Sequence, residues 1–319
     1  MKHSSSGRGR PSVDLSTTVG SVALTNPVLA ASGTVGHGTE LAPYLDLAAL
    51  GAVVVKSLAP YPWKGNPAPR VHPTTAGMLN AIGLQGPGVE AWLHDELPQL
   101  LATGARVVAS IWGRTLDDYA RAAEVLAGAP TGIVAVEVNL SCPNLKGKGM
   151  FAQSPGATRS VMEATAACGL PCWAKLTAAV TAIVDIASAA RSGGAQAVTL
   201  INTLPAMAID VEHRRPVLGN GSGGLSGPAI HSVAVKAVWD VHAALPDLAI
   251  VGLGGVTSAT DAVELLLAGA SAVGVGTATF ADPRAPGQIL DALRTWCERH
   301  DVDRVADLVG AAHRATEVP

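Results

Sequence analysis

The stretch Ala249-Ile250-Val251-Gly252-Leu253-Gly254-Gly255, followed by the segment 259–268 and then by Ala272-Val273-Gly274-Val275-Gly276, decides the fold. A short apolar run without alternation is how a strand reads when both of its faces are covered, as in a parallel sheet. Between the two runs, apolar residues recur at helical spacing. The unit is therefore strand, helix, strand, and it repeats through the chain. Strands are expected at 27–31, 52–57, 106–111, 134–140, 171–176, 197–201, 249–253 and 272–276. Helices are expected at 39–50, 89–102, 117–127, 158–168, 180–192, 229–244, 259–268 and 287–300. Eight strands, each followed by a helix, predict an α/β fold of the (β/α)8 TIM-barrel type. A doubly wound sheet is the competing architecture. It would usually carry a G-x-G-x-x-G turn after its first strand, whereas here the first run leads into Ala31-Ser32-Gly33-Thr34.

Working outward, residues 11–26 alternate (Val13, Leu15, then Val22, Leu24) and predict a short hairpin placed to plug the bottom of the barrel. Residues 1–12 read as a mobile tail and 13–319 as one barrel domain. At 319 residues the chain is long for one average domain, but such a barrel uses about 250 as a single unit. Hydrophobic residues at 48% and charged residues at 15% exclude a disordered chain. A formal net charge of −3 and 3% aromatics argue against a nucleic-acid binder, which needs a basic field or stacking platforms. The opening MKHSSSGRGR has no apolar core behind it and does not read as a signal peptide. The uncharged run 265–281 contains three glycines and reads as a helix-to-strand transition, not a membrane span. Of the four cysteines, only Cys168 and Cys172 lie close in sequence, with no further ligand pair beside them, so no metal site is expected. Buried thiols in a reducing cytoplasm are the simpler reading.

Two connections, 58–88 and 202–228, are too long for plain βα loops, and both leave the carboxyl ends of strands, where barrel active sites lie. Gly254-Gly255 after the seventh strand and Gly276-Thr277 after the eighth allow close backbone approach to an anion and read as a phosphate site. Past the fourth strand stands Asn139-Leu140-Ser141-Cys142-Pro143-Asn144. Asn side chains present a donor and an acceptor together, which suits a neutral ring with amide edges such as a pyrimidine. Cys142 reads either as a base or nucleophile or as a buried structural thiol. Lys56 ends one apolar strand and Lys175 sits within another, where a lysine needs a partner. An anionic ligand at the barrel mouth is one partner, and a structural salt bridge is the other.

The run 139–144 resembles the signature loop of the class 1 dihydroorotate dehydrogenases. Ala31-Ser32-Gly33-Thr34, Lys56-Ser57, Gly65-Asn66-Pro67, Asn80-Ala81-Ile82-Gly83-Leu84, Asn202-Thr203 and the segment from Arg215 to Ile230 match in order. The similarity spans about residues 13–300, and the later segments resemble class 1B more than class 1A. Cysteine at 142 also matches class 1, since serine is expected in the membrane-bound class.

The resemblance implies FMN-dependent oxidation of dihydroorotate to orotate in pyrimidine biosynthesis. Cys142 would take the C5 proton while hydride passes from C6 to flavin N5. Asn80, Asn139, Asn144, Asn202 and Thr203 would hold the pyrimidine. Backbone groups of Ile82, Gly83 and Leu84 would receive its carboxylate, and Lys56 would lie between substrate and flavin. Lys175 would stabilise charge on the reduced ring. Ala31, Ser32, Ser57, Asn139 and Ile201 would lie near the flavin, with Gly224, Gly254, Gly255, Gly276 and Thr277 around its phosphate. A partner subunit carrying FAD and a 2Fe–2S cluster, in a heterotetramer, or a homodimer, is implied too, with a cytoplasmic location. The chain departs from the family pattern at Gly36-His37-Gly38, Trp112-Gly113-Arg114 and Leu176-Thr177-Ala178-Ala179. A flavin enzyme acting on another dihydropyrimidine, such as dihydrouracil, and a non-catalytic flavin-binding barrel are the alternatives.

Overall fold

Eight parallel strands close on themselves in chain order: Val28–Ala30, Ala52–Val54, Val107–Ile111, Ile133–Asn139, Cys172–Lys175, Ala197–Leu200, Ala249–Leu253 and Ala272–Val275. The ring closes where Val273 of the eighth strand registers with Val28 of the first. The computed structural model describes residues 13–141 and 150–315 of the chain. All eight expected strands are present, shortened at most ends. The expected tail 1–12, Cys142 and Asn144 lie outside the described residues.

The barrel is a parallel sheet covered inside and out. Its outward residues pack under the surrounding helices as one large core, with Val53, Val107, Val136 and Val273 fully buried. Its inward residues near the amino ends of the strands, among them Leu29, Val54, Val108 and Trp173, form a separate cluster. Val19, Val22 and Leu24 fill the bottom of that cluster. They come from the antiparallel hairpin Thr17–Val19/Val22–Leu24, which is the expected plug.

Two expected helices are corrected. Residues 39–50 form turns and a single 3-10 turn, Leu47–Ala49, capped by the Asp46 side chain. Pro43 in the middle of that segment lacks the N–H a helix interior needs. Residues 89–102 form two helices, Val89–Asp95 and Leu97–Ala102, with Pro98 in the first turn of the second. The helix Leu116–Ala127 begins as expected, with a capping box between Thr115 and Asp118. A Thr115→Ala substitution should lower the unfolding free energy by about 1 kcal/mol in a denaturant titration.

The two long connections meet each other. Val71–Thr74 and Gly77–Asn80 from the first pair with Leu204–Ala206 and Gly223–Ser226 from the second, as one four-stranded sheet in which Gly224 registers with Asn80. Segments more than a hundred residues apart in sequence thus build one wall above the barrel mouth. No described helix is long and apolar enough to cross a membrane. The apolar stretch 265–281 divides into the end of helix Ala259–Leu267, strand Ala272–Val275 and helix Ala278–Ala281. Cys168 and Cys172 are buried free thiols with sulfurs 3.5 Å apart. Their shared hydrogen bond draws Cys168 down to about 7 and pushes Cys172 up.

Candidate functional site

The carboxyl ends of the strands and the four-stranded wall enclose a cavity of about 1050 Å³, counted out to its open mouth. Of the expected site residues that the structure describes, all but Gly224 line it. Gly224 lies behind the lining, where its lack of a side chain leaves room for Thr203, and its carbonyl accepts from Asn80 Nδ2 at 3.4 Å.

One side of the cavity is a chain of amides and hydroxyls. Asn139, the last residue of the fourth strand, donates to Ser57 Oγ at 3.1 Å, and its Oδ1 accepts from Asn202 Nδ2 at 3.2 Å. Asn202 also donates to Ser141 Oγ at 3.0 Å, and Thr203 N–H donates back to Asn202 Oδ1 at 2.8 Å. Ser57 Oγ lies 2.9 Å from Ser110 Oγ and 3.5 Å from Ser32 Oγ. These contacts orient the amides: both hydrogens of the Asn202 NH2 are engaged, while the Asn139 NH2 keeps a second hydrogen to offer. Asn80 faces the same space from the wall, and its Oδ1 accepts from no described group. The described chain stops at Ser141, one residue before Cys142, so the expected base is next in sequence to a residue bonded to this network.

The turn Ile82-Gly83-Leu84 borders the cavity in a conformation that suits an anion. Gly83 and Leu84 both have positive φ, 74° and 61°, which for leucine is strained. The carbonyls of Ile82 and Gly83 are taken by Asn66 N–H at 3.0 Å and Trp63 Nε1 at 2.9 Å. The N–H groups of Ile82, Gly83 and Leu84 donate to none of the described residues. Trp112, from one of the segments that depart from the family pattern, packs fully buried against Leu84 and Trp63. It supports the turn from behind.

Lys56 and Lys175 both line the cavity. Gly33 leaves space for Lys56, whose Nζ lies 3.5 Å from where a Cβ on that glycine would stand. His37 sits nearby with its pKa held below the ordinary value, first by burial and then by the Lys56 ammonium. Lys175 has a protein partner as well as the cavity: Glu137 Oε1 lies 3.1 Å from its Nζ, with both side chains almost fully buried. Sequence reasoning posed ligand and salt bridge as rivals, and Lys175 has both a carboxylate partner and a face on the cavity. Glu137 itself was missed, although a lone charge in the strand Ile133-Val134-Ala135-Val136-Glu137-Val138-Asn139 was a readable signal.

At the far end lie Gly254, Gly255, Gly276 and Thr277. The first pair is glycine for packing reasons: side chains there would meet Ala234 Cβ at 2.8 Å and His231 Cβ at 2.6 Å. Gly276 differs. It has an ordinary φ, and a Cβ would meet nothing closer than 3.8 Å, so no protein neighbour excludes a side chain. The space it leaves belongs to the cavity. Ser226 and Gly227 line this end too, with Thr277 Oγ1 donating to Ser226 Oγ at 2.8 Å. They were missed because the pairing that brings 223–226 to the mouth is not local. Among the described residues no group of three or more His, Cys, Asp or Glu could hold a metal ion.

Comparison with known proteins adds to this geometry. Residues 14–296 match the family model described as dihydroorotate dehydrogenase. A protein of Desulforudis audaxviator (strain MP104C) is 51% identical over 307 residues, covering 95% of this chain and 98% of its own. One from Geotalea uraniireducens (strain Rf4) is 45% identical over 305 residues, covering 95% and 99%. Both relatives are named dihydroorotate dehydrogenase B (NAD(+)), catalytic subunit.

Proposed function

The chain belongs to the dihydroorotate dehydrogenase family, and from that premise we propose that it oxidises dihydroorotate to orotate with FMN, in pyrimidine biosynthesis. The observation that carries this reading is the convergence on one cavity of amide groups, a turn of undonated N–H groups, two lysines and a glycine-lined end. A pyrimidine ring, its carboxylate, a flavin ring and a phosphate need those four features respectively.

The residues present fit FMN. Gly276 leaves open a place that the protein does not need for its own packing, beside Thr277 and the Gly254-Gly255 loop. Those residues would hold the phosphate, and Ala31, Ser32, Ser57, Ile201 and Lys175 the ring. When bound, FMN supplies the acceptor for the hydride that leaves C6. The protein's own part is positioning and proton transfer. Asn80, Asn139, Asn144, Asn202 and Thr203 orient the substrate ring. The N–H groups of the 82–84 turn take its carboxylate, as oriented backbone amides do for anions. Lys56 and Lys175 offset negative charge that develops as the bond is oxidised. Cys142 removes the C5 proton, and the thiolate is its working form.

A Gly276→Val side chain would project into the phosphate end. Losing even one charge-assisted hydrogen bond there, worth about 1.5–3 kcal/mol, weakens FMN binding by about 10- to 150-fold. Fluorescence titration of the flavin should show that loss while the apoprotein's unfolding midpoint stays in place.

The substrate is tested by steady-state turnover with a dye acceptor, comparing dihydroorotate with dihydrouracil, which lacks the carboxylate. A site built around a polar substrate group discriminates against its absence by about 10⁴-fold. Equal turnover would favour another dihydropyrimidine. The relatives' names describe a catalytic subunit, which supports a second subunit; the family resemblance implies that it carries FAD and a 2Fe–2S cluster and that electrons leave this cytoplasmic enzyme through it.

A further inference from the structure

Glu137 is a buried carboxylate to which the reading above gives no role. It projects from the fourth strand and is 2% exposed. Its Oε1 lies 3.1 Å from Lys175 Nζ on the fifth strand. Its Oε2 accepts from Thr199 Oγ1 on the sixth at 3.1 Å, and Ser110 Oγ on the third approaches Oε1 at 3.4 Å. Three neighbouring strands therefore converge on the carboxylate of the fourth, beneath the cavity. From Ser110 the contacts continue to Ser57 at 2.9 Å and from there to Asn139 at 3.1 Å, both of which line the cavity.

We propose that Glu137 is a positioning residue of the site: it fixes where the Lys175 ammonium sits and balances its charge, and so sets how strongly the cavity floor favours added negative charge. This rests on the flavin reading. A structural bridge alone would not need an edge on the cavity, yet Lys175 faces both the carboxylate and the ligand space. With Glu137 in place the pair is neutral overall, and the cavity sees the near end of a dipole. Without it, a full positive charge would face the cavity space assigned to the flavin. A unit charge about 10 Å away, acting through an effective dielectric of about 20, shifts an equilibrium roughly tenfold.

The experiment is an anaerobic redox titration of the full chain loaded with FMN, against reference dyes. Glu137→Gln keeps the shape and a hydrogen-bond acceptor while removing the charge. Its midpoint should lie above that of the wild type, with the ratio of reduced to oxidised flavin about tenfold higher at the wild-type midpoint. Lys175→Gln should lie below the wild type, and the double variant, a neutral amide pair, should return close to it. If Glu137→Gln does not fold, Lys175→Gln against the double variant reads the same charge, and the double variant should lie higher. A wild-type chain that binds FMN stoichiometrically but shows no midpoint change on loss of the Glu137 charge, or a fall, overturns the role given to Glu137. A wild-type chain that binds no FMN overturns the flavin reading, and this inference with it.

Discussion

A Cys142→Ala variant loaded with FMN is expected to reduce its flavin about 10²- to 10⁴-fold more slowly than the wild type when mixed with dihydroorotate, the span a positioned general base contributes. Oxidation of the C5–C6 bond removes a proton from one carbon and a hydride from the other. Without a base, the proton must leave to water in a site that the amide wall restricts. Affinity for orotate should change far less, because the groups assigned to the ring and carboxylate stay in place. The pH dependence follows from the thiol. An ordinary thiol titrates near about 8.5, so the wild-type rate should rise with pH up to the thiol's own value and then level. The alanine variant should lose that limb. Stopped-flow absorbance under anaerobic conditions measures both, and a rate within a few-fold of wild type would remove Cys142 from proton transfer.

The second large effect is on folding. Trp173 is fully buried in the barrel interior with Val19, Val22 and Leu24 of the hairpin in the same cluster. Trp173→Ala should cost about 3–5 kcal/mol in denaturant unfolding, the range for deleting a large core side chain. Its indole Nε1 is buried with no hydrogen-bond partner among the described residues. Trp173→Phe should therefore cost much less, since it removes an unsatisfied donor along with some contact area. Equal losses for the two substitutions would show that the ring's bulk does not wedge the plug in place.

The barrel was readable because strands covered on both faces leave near-continuous apolar runs, and all eight stand where such runs do. The second strand of the hairpin was readable from Val22 and Leu24, but Val13 and Leu15 lie before the hairpin, in the outer core, where Asp14 bridges to Arg304. Two helices were misread because proline at 43 and at 98 carries more weight than the apolar spacing around it. The four-stranded wall was not readable. Its strands are two to four residues from connections far apart in the chain, and no local period announces such a pairing. At the site, residues at strand ends were legible individually, since lysine, asparagine and glycine are unusual at the ends of Val-rich runs. Their mutual hydrogen bonds were not, and Glu137 was overlooked because it stands inside a strand and not at its end. Residues 82–84 were placed through the family resemblance. The reason they suit an anion, a turn in which the Ile82 and Gly83 carbonyls are taken while the N–H groups are not, became visible only in three dimensions.

Whether one cavity brings a dihydropyrimidine and a flavin together is decided by adding dihydroorotate, without oxygen, to the FMN-loaded wild-type chain and following the visible flavin band together with the product. The expected result is loss of the band with one equivalent of substrate and formation of one equivalent of orotate. A band that persists with dihydroorotate bound would contradict the claim.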